Sequence, residues 1–400
     1  MRKVLIVYGT RPEAVKLAPL IAELGRSPHC TPIVAVTGQH REMLDQVNSL
    51  FDIRPSHDLN ILTQGQRLED ITNRVLGGVA GVIEVEAPDA VLVQGDTTSC
   101  FAAALAAFYR RVPLIHLEAG LRTGDRYNPF PEELNRRLTT QLASLHLAPT
   151  QTSKANLLYD GVNERAIVVT GNTVIDALLH VASRNSPLDN PDTQRISGRR
   201  SVLITAHRRE SWGEPMARTA RAIARLAAAF PEVVFLLPAH LNPVVRDVLL
   251  PPLVGLDNVV VTRPLDYCDF VWAMRDCSIV LTDSGGVQEE APTLGKPVLV
   301  LRETTERPEA VAAGTVRLVG TDEDRIVREV TTLLTDRAAY QAMAHAVNPY
   351  GDGQAAMRST RAIEHFFGVG SLPVEFDAGP DSAELQSAPR PACVVDDFAA

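Results

Sequence analysis

The sequence predicts an α/β protein built from two Rossmann-like, doubly wound parallel sheets. Three observations carry that expectation. Short apolar runs of strand length recur along the whole chain, they alternate with helix-period stretches, and polar signatures cluster at their carboxyl ends. Continuous apolar runs suit strands buried on both faces. Open parallel sheets bind ligands at the carboxyl ends of their strands.

The first six runs are KVLIVY (3–8), TPIVAVT (31–37), DAVLVQ (89–94), VPLIHLE (112–118), LHLAP (145–149) and AIVVT (166–170). The second six are SVLITA (201–206), VVFLLPA (233–239), NVVVT (258–262), SIVLTD (278–283), KPVLVL (296–301) and TVRLVG (315–320). Between the sets lies NSPLDNP (185–191), a stretch of turn formers. This organisation gives a first domain over 1–170 and a second over 171–367. Residues 368–400 are low in pattern and rich in Pro, Ala, Ser and Asp, and are expected to form a disordered tail. The polar signatures GTRPE, TGQH, QGDTT, EAGLRT, AHRRE, AHLNP and TDSGG would face one another across a cleft between the sheets.

Bulk properties narrow the function. A chain of 400 residues, 45% hydrophobic, can bury a large core. Its net charge of −9 and pI near 5.6 argue against nucleic acid or a membrane surface as partner. No run approaches the ~20 apolar residues of a membrane span. Val4 to Tyr8 is far shorter than a signal-peptide core, so a cytoplasmic protein is expected. The five cysteines are scattered without a CxxC pair and read as buried, reduced thiols.

The motif TDSGGVQEE, straight after a buried run, is the sharpest local signal. The amides of Ser284, Gly285 and Gly286 would begin a helix and offer an anion site. Glu290 lies about a turn further on, where it could accept hydrogen bonds from vicinal ribose hydroxyls. A nucleoside diphosphate needs both. The plain alternative is that Glu289 and Glu290 merely favour the helix dipole.

Other candidates stand at strand ends. Arg11 and Lys16 in GTRPEAVK read as a cationic claw for an anion, or as an ordinary βα turn with surface cations. Asp96 in QGDTT is a helix-start acid or a catalytic carboxylate. Glu118 ends a buried run, where a carboxylate is costly unless paired or catalytic. Glu132 and Glu133 sit at helical spacing from Arg136 and Arg137, their simplest partners. His207, Arg208 and Arg209 follow the first run of the second half, and His240 follows the second. No GxGxxG follows a strand, no GxxxxGK loop appears, and no HExxH spacing argues for zinc. No cofactor and no metal is expected.

Taken together, GTRPEAVKLAPL, TGQHREMLDQV, VLVQGDTTS, EAGLRTGD, PEELNRR, TGNTVIDAL, HRRESWG, HLNP, LTDSGGVQEEAPTLGKPVLVLRETTERPEAV and NPYGDGQA resemble the non-hydrolysing UDP-N-acetylglucosamine 2-epimerase family over residues 1–366. The resemblance implies a GT-B-like fold with an interdomain cleft, a last helix crossing back to the first domain, and a homodimer. It implies interconversion of UDP-GlcNAc and UDP-ManNAc without cofactor. Arg11, Lys16, Asp96, Glu118, Glu132 and His207 would be catalytic. Arg11, Arg208, His240, Phe270, Ser284, Gly285, Gly286 and Glu290 would hold the UDP-sugar. Gln39, His40 and Arg209 match a regulatory patch of the family, while Glu42 and Gly65 depart from it, so activation by substrate is expected to be weak or absent. The alternatives are a hydrolysing epimerase, an epimerase of UDP-2,3-diacetamido sugars, and a GT-B glycosyltransferase.

Overall fold

The computed structural model describes residues 1–38, 41–63, 65–184, 191–208, 211–305 and 307–379, the side chains of 41–43 excepted. It divides into a first unit, Met1–Thr173 together with the chain from Gly353 onward, and a second, Val174–Asp352. Each is a wholly parallel sheet with helices.

The first unit's strands are β1 (Arg2–Tyr8), β2 (Cys30–Val36), β3 (His57–Asp58), β4 (Ala90–Gln94), β5 (Leu114–Leu117), β6 (Leu145–Ala148) and β7 (Ile167–Val169). Their spatial order is β3-β2-β1-β4-β5-β6-β7. The sequence expects six strands here. The seventh, β3, is a two-residue edge pairing Ala35 with His57 and Val36 with Asp58, too short and polar to leave an apolar run. In the second unit β8 (Ser201–Thr205), β9 (Val234–Pro238), β10 (Val259–Thr262), β11 (Ile279–Thr282), β12 (Val298–Val300) and β13 (Val316–Leu318) take the order β10-β9-β8-β11-β12-β13. That is the Rossmann order.

Packing explains these elements. Val4, Leu5 and Ile6 in β1 and Val91, Leu92 and Val93 in β4 have no exposed surface, as befits central strands covered on both faces. The alanines of the helix Thr98–Tyr109 let it lie close to the helix Leu68–Glu86. Gly9, just after β1, must be glycine, since a Cβ there would meet Thr37 Oγ1 at 2.0 Å. The fold class is the expected one.

Sheet order also positions the candidate chemistry. Where β1 and β4 run side by side, their helices lie on opposite faces and the following turns separate, opening a crevice at the carboxyl edge. Those turns hold Arg11 and Asp96. In the second unit β8 and β11 make the same switch point, and their turns hold His207 and TDSGG.

The last helix, Ala355–Phe366, packs on the helix Arg11–Arg26 of the first unit. The segment after it is not wholly a free tail. Phe376 is 6% exposed, in a cluster with Ala119, Ala148, Leu157, Ile167 and Val169, and its N–H donates to Val169 O at 2.8 Å. One aromatic side chain with an open strand edge beside it suffices, and periodicity does not reveal it. No helix among the described residues is long and apolar enough to cross a membrane.

Candidate active site

In the first unit the site is built around Glu118, the residue after β5, with φ 62°. That left-handed conformation costs a non-glycine residue on the order of 1–3 kcal/mol and persists only where its surroundings fix it. The side chain supplies three such anchors. Oε1 accepts from Lys16 Nζ at 2.5 Å and from Asn172 Nδ2 at 3.0 Å, and Oε2 accepts from Gln94 Nε2. A carboxyl group facing three donors is an acceptor-only carboxylate. Lys16 and Glu118 therefore come together as a pair, though the sequence assigned them separate roles.

Asp96 follows β4. Its Oδ2 lies 2.6 Å from Arg136 Nη2, and its backbone oxygen accepts from Asn135 Nδ2 at 3.0 Å. Burial pushes its carboxyl above the ordinary range, Arg136 pulls it down, and the charge of Glu118 pushes it up again. Of the pairings expected for PEELNRR, Glu133 with Arg136 is formed, at 3.4 Å. Glu133 is fully buried and also accepts from Thr123 N at 3.0 Å, while Arg136 reaches on to Asp96. Glu132 opens the helix Glu132–Leu142 and is half-buried. Arg11 opens the helix Arg11–Arg26. Among the described residues its guanidinium makes no hydrogen bond or ion pair, so it can take an anion.

Sequence reasoning missed Glu13. It is 1% exposed, and its carboxylate accepts from Gly9 N at 3.0 Å, Thr10 N at 2.7 Å and Thr97 Oγ1 at 2.7 Å. It thereby ties the turn carrying Arg11 to the turn carrying Asp96. Burial pushes its pKa up, against those hydrogen bonds. The Thr-x-x-Glu spacing of a capping box was the available signal.

In the second unit His207 is oriented by Asp283. Nδ1 lies 3.0 Å from Asp283 Oδ1, while Oδ2 accepts from the backbone of His207 at 2.6 Å and of Arg208 at 2.8 Å. Burial opposes charge on Asp283, yet those bonds hold its carboxyl below the ordinary range. With Nδ1 turned to Asp283, Nε2 is the ring nitrogen left for chemistry. The His240 ring stacks on that of His207 at 6.0 Å.

The TDSGG turn works differently from the sequence reading at one point. Ser284 N donates to Thr282 Oγ1 at 2.9 Å, so this amide is spent. The N–H groups of Gly285 and Gly286 have no acceptor among the described residues, as expected for the first helical positions. Arg307, 8% exposed, lies against Gly285, where a Cβ would meet its Nη1 at 2.6 Å. Glu289 accepts from Arg307 Nε at 2.5 Å. Glu290 Oε1 accepts from Tyr267 Oη at 3.0 Å, and Phe270, half-buried, lies on the same helix as Tyr267. The two carboxylates beside an anion site thus have separate partners. Gln39, His40 and Arg209 lie outside the described residues. No group of three or more His, Cys, Asp or Glu able to hold a metal occurs among those described.

Two Rossmann-like units, one offering buried carboxylates and the other helix-start amides beside an oriented histidine, define a GT-B-like protein. The chain belongs to the UDP-N-acetylglucosamine 2-epimerase family, whose profile matches residues 22–364. It is 52% identical to the UDP-N-acetylglucosamine 2-epimerase of Salmonella typhimurium over 371 residues, which span 91% of this chain and 99% of that one. Identity to the Escherichia coli enzyme is also 52%, over 376 residues, 91% of this chain and 98% of that one. The solved UDP-GlcNAc 2-epimerase of Neisseria meningitidis, bound to UDP-GlcNAc, matches with a TM-score of 0.84 at 47% identity, covering 92% of this chain and 100% of that chain.

Proposed function

We propose that this chain interconverts UDP-GlcNAc and UDP-ManNAc by a non-hydrolysing route. The C2 hydrogen of such a sugar has no adjacent carbonyl, so simple deprotonation is too difficult. Elimination solves the problem. A carboxylate takes the C2 proton as the C1–O bond breaks and UDP departs with the electron pair, leaving a 2-acetamidoglucal. UDP oxygen then adds back to C1 while a proton reaches C2 on the opposite face. General acid–base steps of this kind contribute about 10²–10⁴-fold each.

The observation that carries this reading is the Glu118 carboxylate, held by Lys16, Gln94 and Asn172 on a constrained backbone in the same unit as Asp96. Asp96, Glu118 and Glu132 serve as the proton-transfer groups. Arg11, His207, the Gly285 and Gly286 amides and the Ser284 hydroxyl stabilise the departing diphosphate, with Arg208 and His240 beside them. Glu290 takes the ribose and Phe270 the uracil. The enzyme acts as a cytoplasmic homodimer, which light scattering on the purified protein tests.

Incubation with UDP-GlcNAc in D₂O, followed by NMR, tests the chemistry. UDP-ManNAc carrying deuterium at C2 is the expected product. Free ManNAc would indicate hydrolysis, and no exchange at C2 would favour a transferase and overturn the proposal. Exchange only with a UDP-2,3-diacetamido sugar would move the assignment to that substrate.

A further inference from the structure

We propose that the segment after the last helix, through Glu375 and Phe376, is a positioning element for Glu118. The inference rests on the catalytic role proposed for that residue. Two routes join them, one apolar and one polar. In the first, Phe376 shares its cluster with Ala119, the residue next to Glu118. The second runs along the end of β7. Phe376 N donates to Val169 O at 2.8 Å, and Val169 N donates to Glu375 Oε1 at 3.1 Å. The segment thereby lies along β7 at the edge of the sheet, joined to Val169 by one backbone bond and one bond to the Glu375 side chain.

Glu375 is itself held by Lys154, 3.2 Å away. Arg358 lies over the Phe376 ring at 5.5 Å and donates to Thr170 O at 3.4 Å. Thr170 leads through Gly171 to Asn172, whose side chain donates to Glu118. Glu118 needs such support, since its φ of 62° is stable only where neighbours fix it. The family profile ends at residue 364, so Glu375 and Phe376 lie beyond the residues it matches.

The test uses the full chain and compares Phe376→Ala, Phe376→Leu and Glu375→Gln at a temperature where circular dichroism shows each folded. In Phe376→Ala kcat is expected to fall about 10–100-fold, as small misplacements of a reacting group do, with KM within about twofold. Phe376→Leu should restore most of the loss, and Glu375→Gln should fall between. Wild-type kcat in folded Phe376→Ala, or in Glu375→Gln should the alanine variant fail to fold, would reduce the segment to a stability feature and overturn the inference. A readout independent of turnover separates this from failure of the proposed reaction. With ¹³C-labelled glutamate carboxyls, and the Glu118 resonance assigned by Glu118→Gln, its titration midpoint should move in Phe376→Ala and Glu375→Gln. An unmoved midpoint in both overturns the inference whatever the enzyme's activity.

Discussion

Arg307 donates its Nε–H to Glu289 at 2.5 Å while its Nη1 occupies the space a side chain on Gly285 would need. The glycine at the start of this helix is thus required by a neighbouring guanidinium as well as by any phosphate. Gly285→Ala should displace Arg307 and destabilise the protein by about 1–3 kcal/mol in urea unfolding. It should weaken UDP binding by titration calorimetry at the same time. Glu289→Gln, which removes charge from a carboxylate 1% exposed, should cost about 2–3 kcal/mol.

The Asp283 carboxylate fixes His207 through Nδ1, and its replacement tests orientation rather than contact. Asp283→Asn should lower kcat about 100-fold, since partners of this kind typically contribute 10–100-fold or more, with KM little changed. Steady-state kinetics with UDP-GlcNAc reads both parameters.

Asp96 exposes a conflict between activity and stability. Its carboxyl is raised by burial first, with the charge of Glu118 adding to it and Arg136 opposing. The folded form therefore holds its proton to higher pH than the unfolded chain. This contribution to stability is full below about pH 4 and is lost as pH rises through the raised value. Asp96→Asn, which mimics the protonated acid, should unfold at neutral pH no earlier than wild type in a thermal melt. Its turnover should fall at least about 100-fold, as should that of Glu118→Gln and His207→Ala.

His116 gives the opposite sign. It is fully buried on β5, bonds Gly95 O through Nε2 at 2.7 Å, and is lowered to about 3 by burial, with His146 and Arg122 adding to that and Gly95 and Glu118 opposing. The unfolded chain takes up a proton near pH 6.5 that the folded chain refuses. Stability is full above that pH and is lost as pH falls toward 3, by about 1.4 kcal/mol per unit. His146 is also lowered by burial and adds to the slope. Denaturant unfolding between pH 6.5 and 4 should show the decline, and His116→Gln should flatten it by about one proton.

By itself the sequence determined the two parallel sheets, because strands buried on both faces must read as unbroken apolar runs such as VLIV and VLVQ. It also determined the turns bearing Arg11, Asp96, Glu118, His207 and Ser284–Gly286, because ligands bind at strand ends and polar residues there interrupt the apolar pattern. Only the tertiary structure decided the pairings. Lys16 reaches Glu118 across 102 positions of chain, His207 reaches Asp283 across 76, and no local periodicity encodes such a distance. The same holds for Glu13, which looks like a helix cap yet binds Thr97, and for Phe376, whose place is set by an open strand edge. A side chain's chemistry is written in its type, but the partners that tune it are brought by the fold.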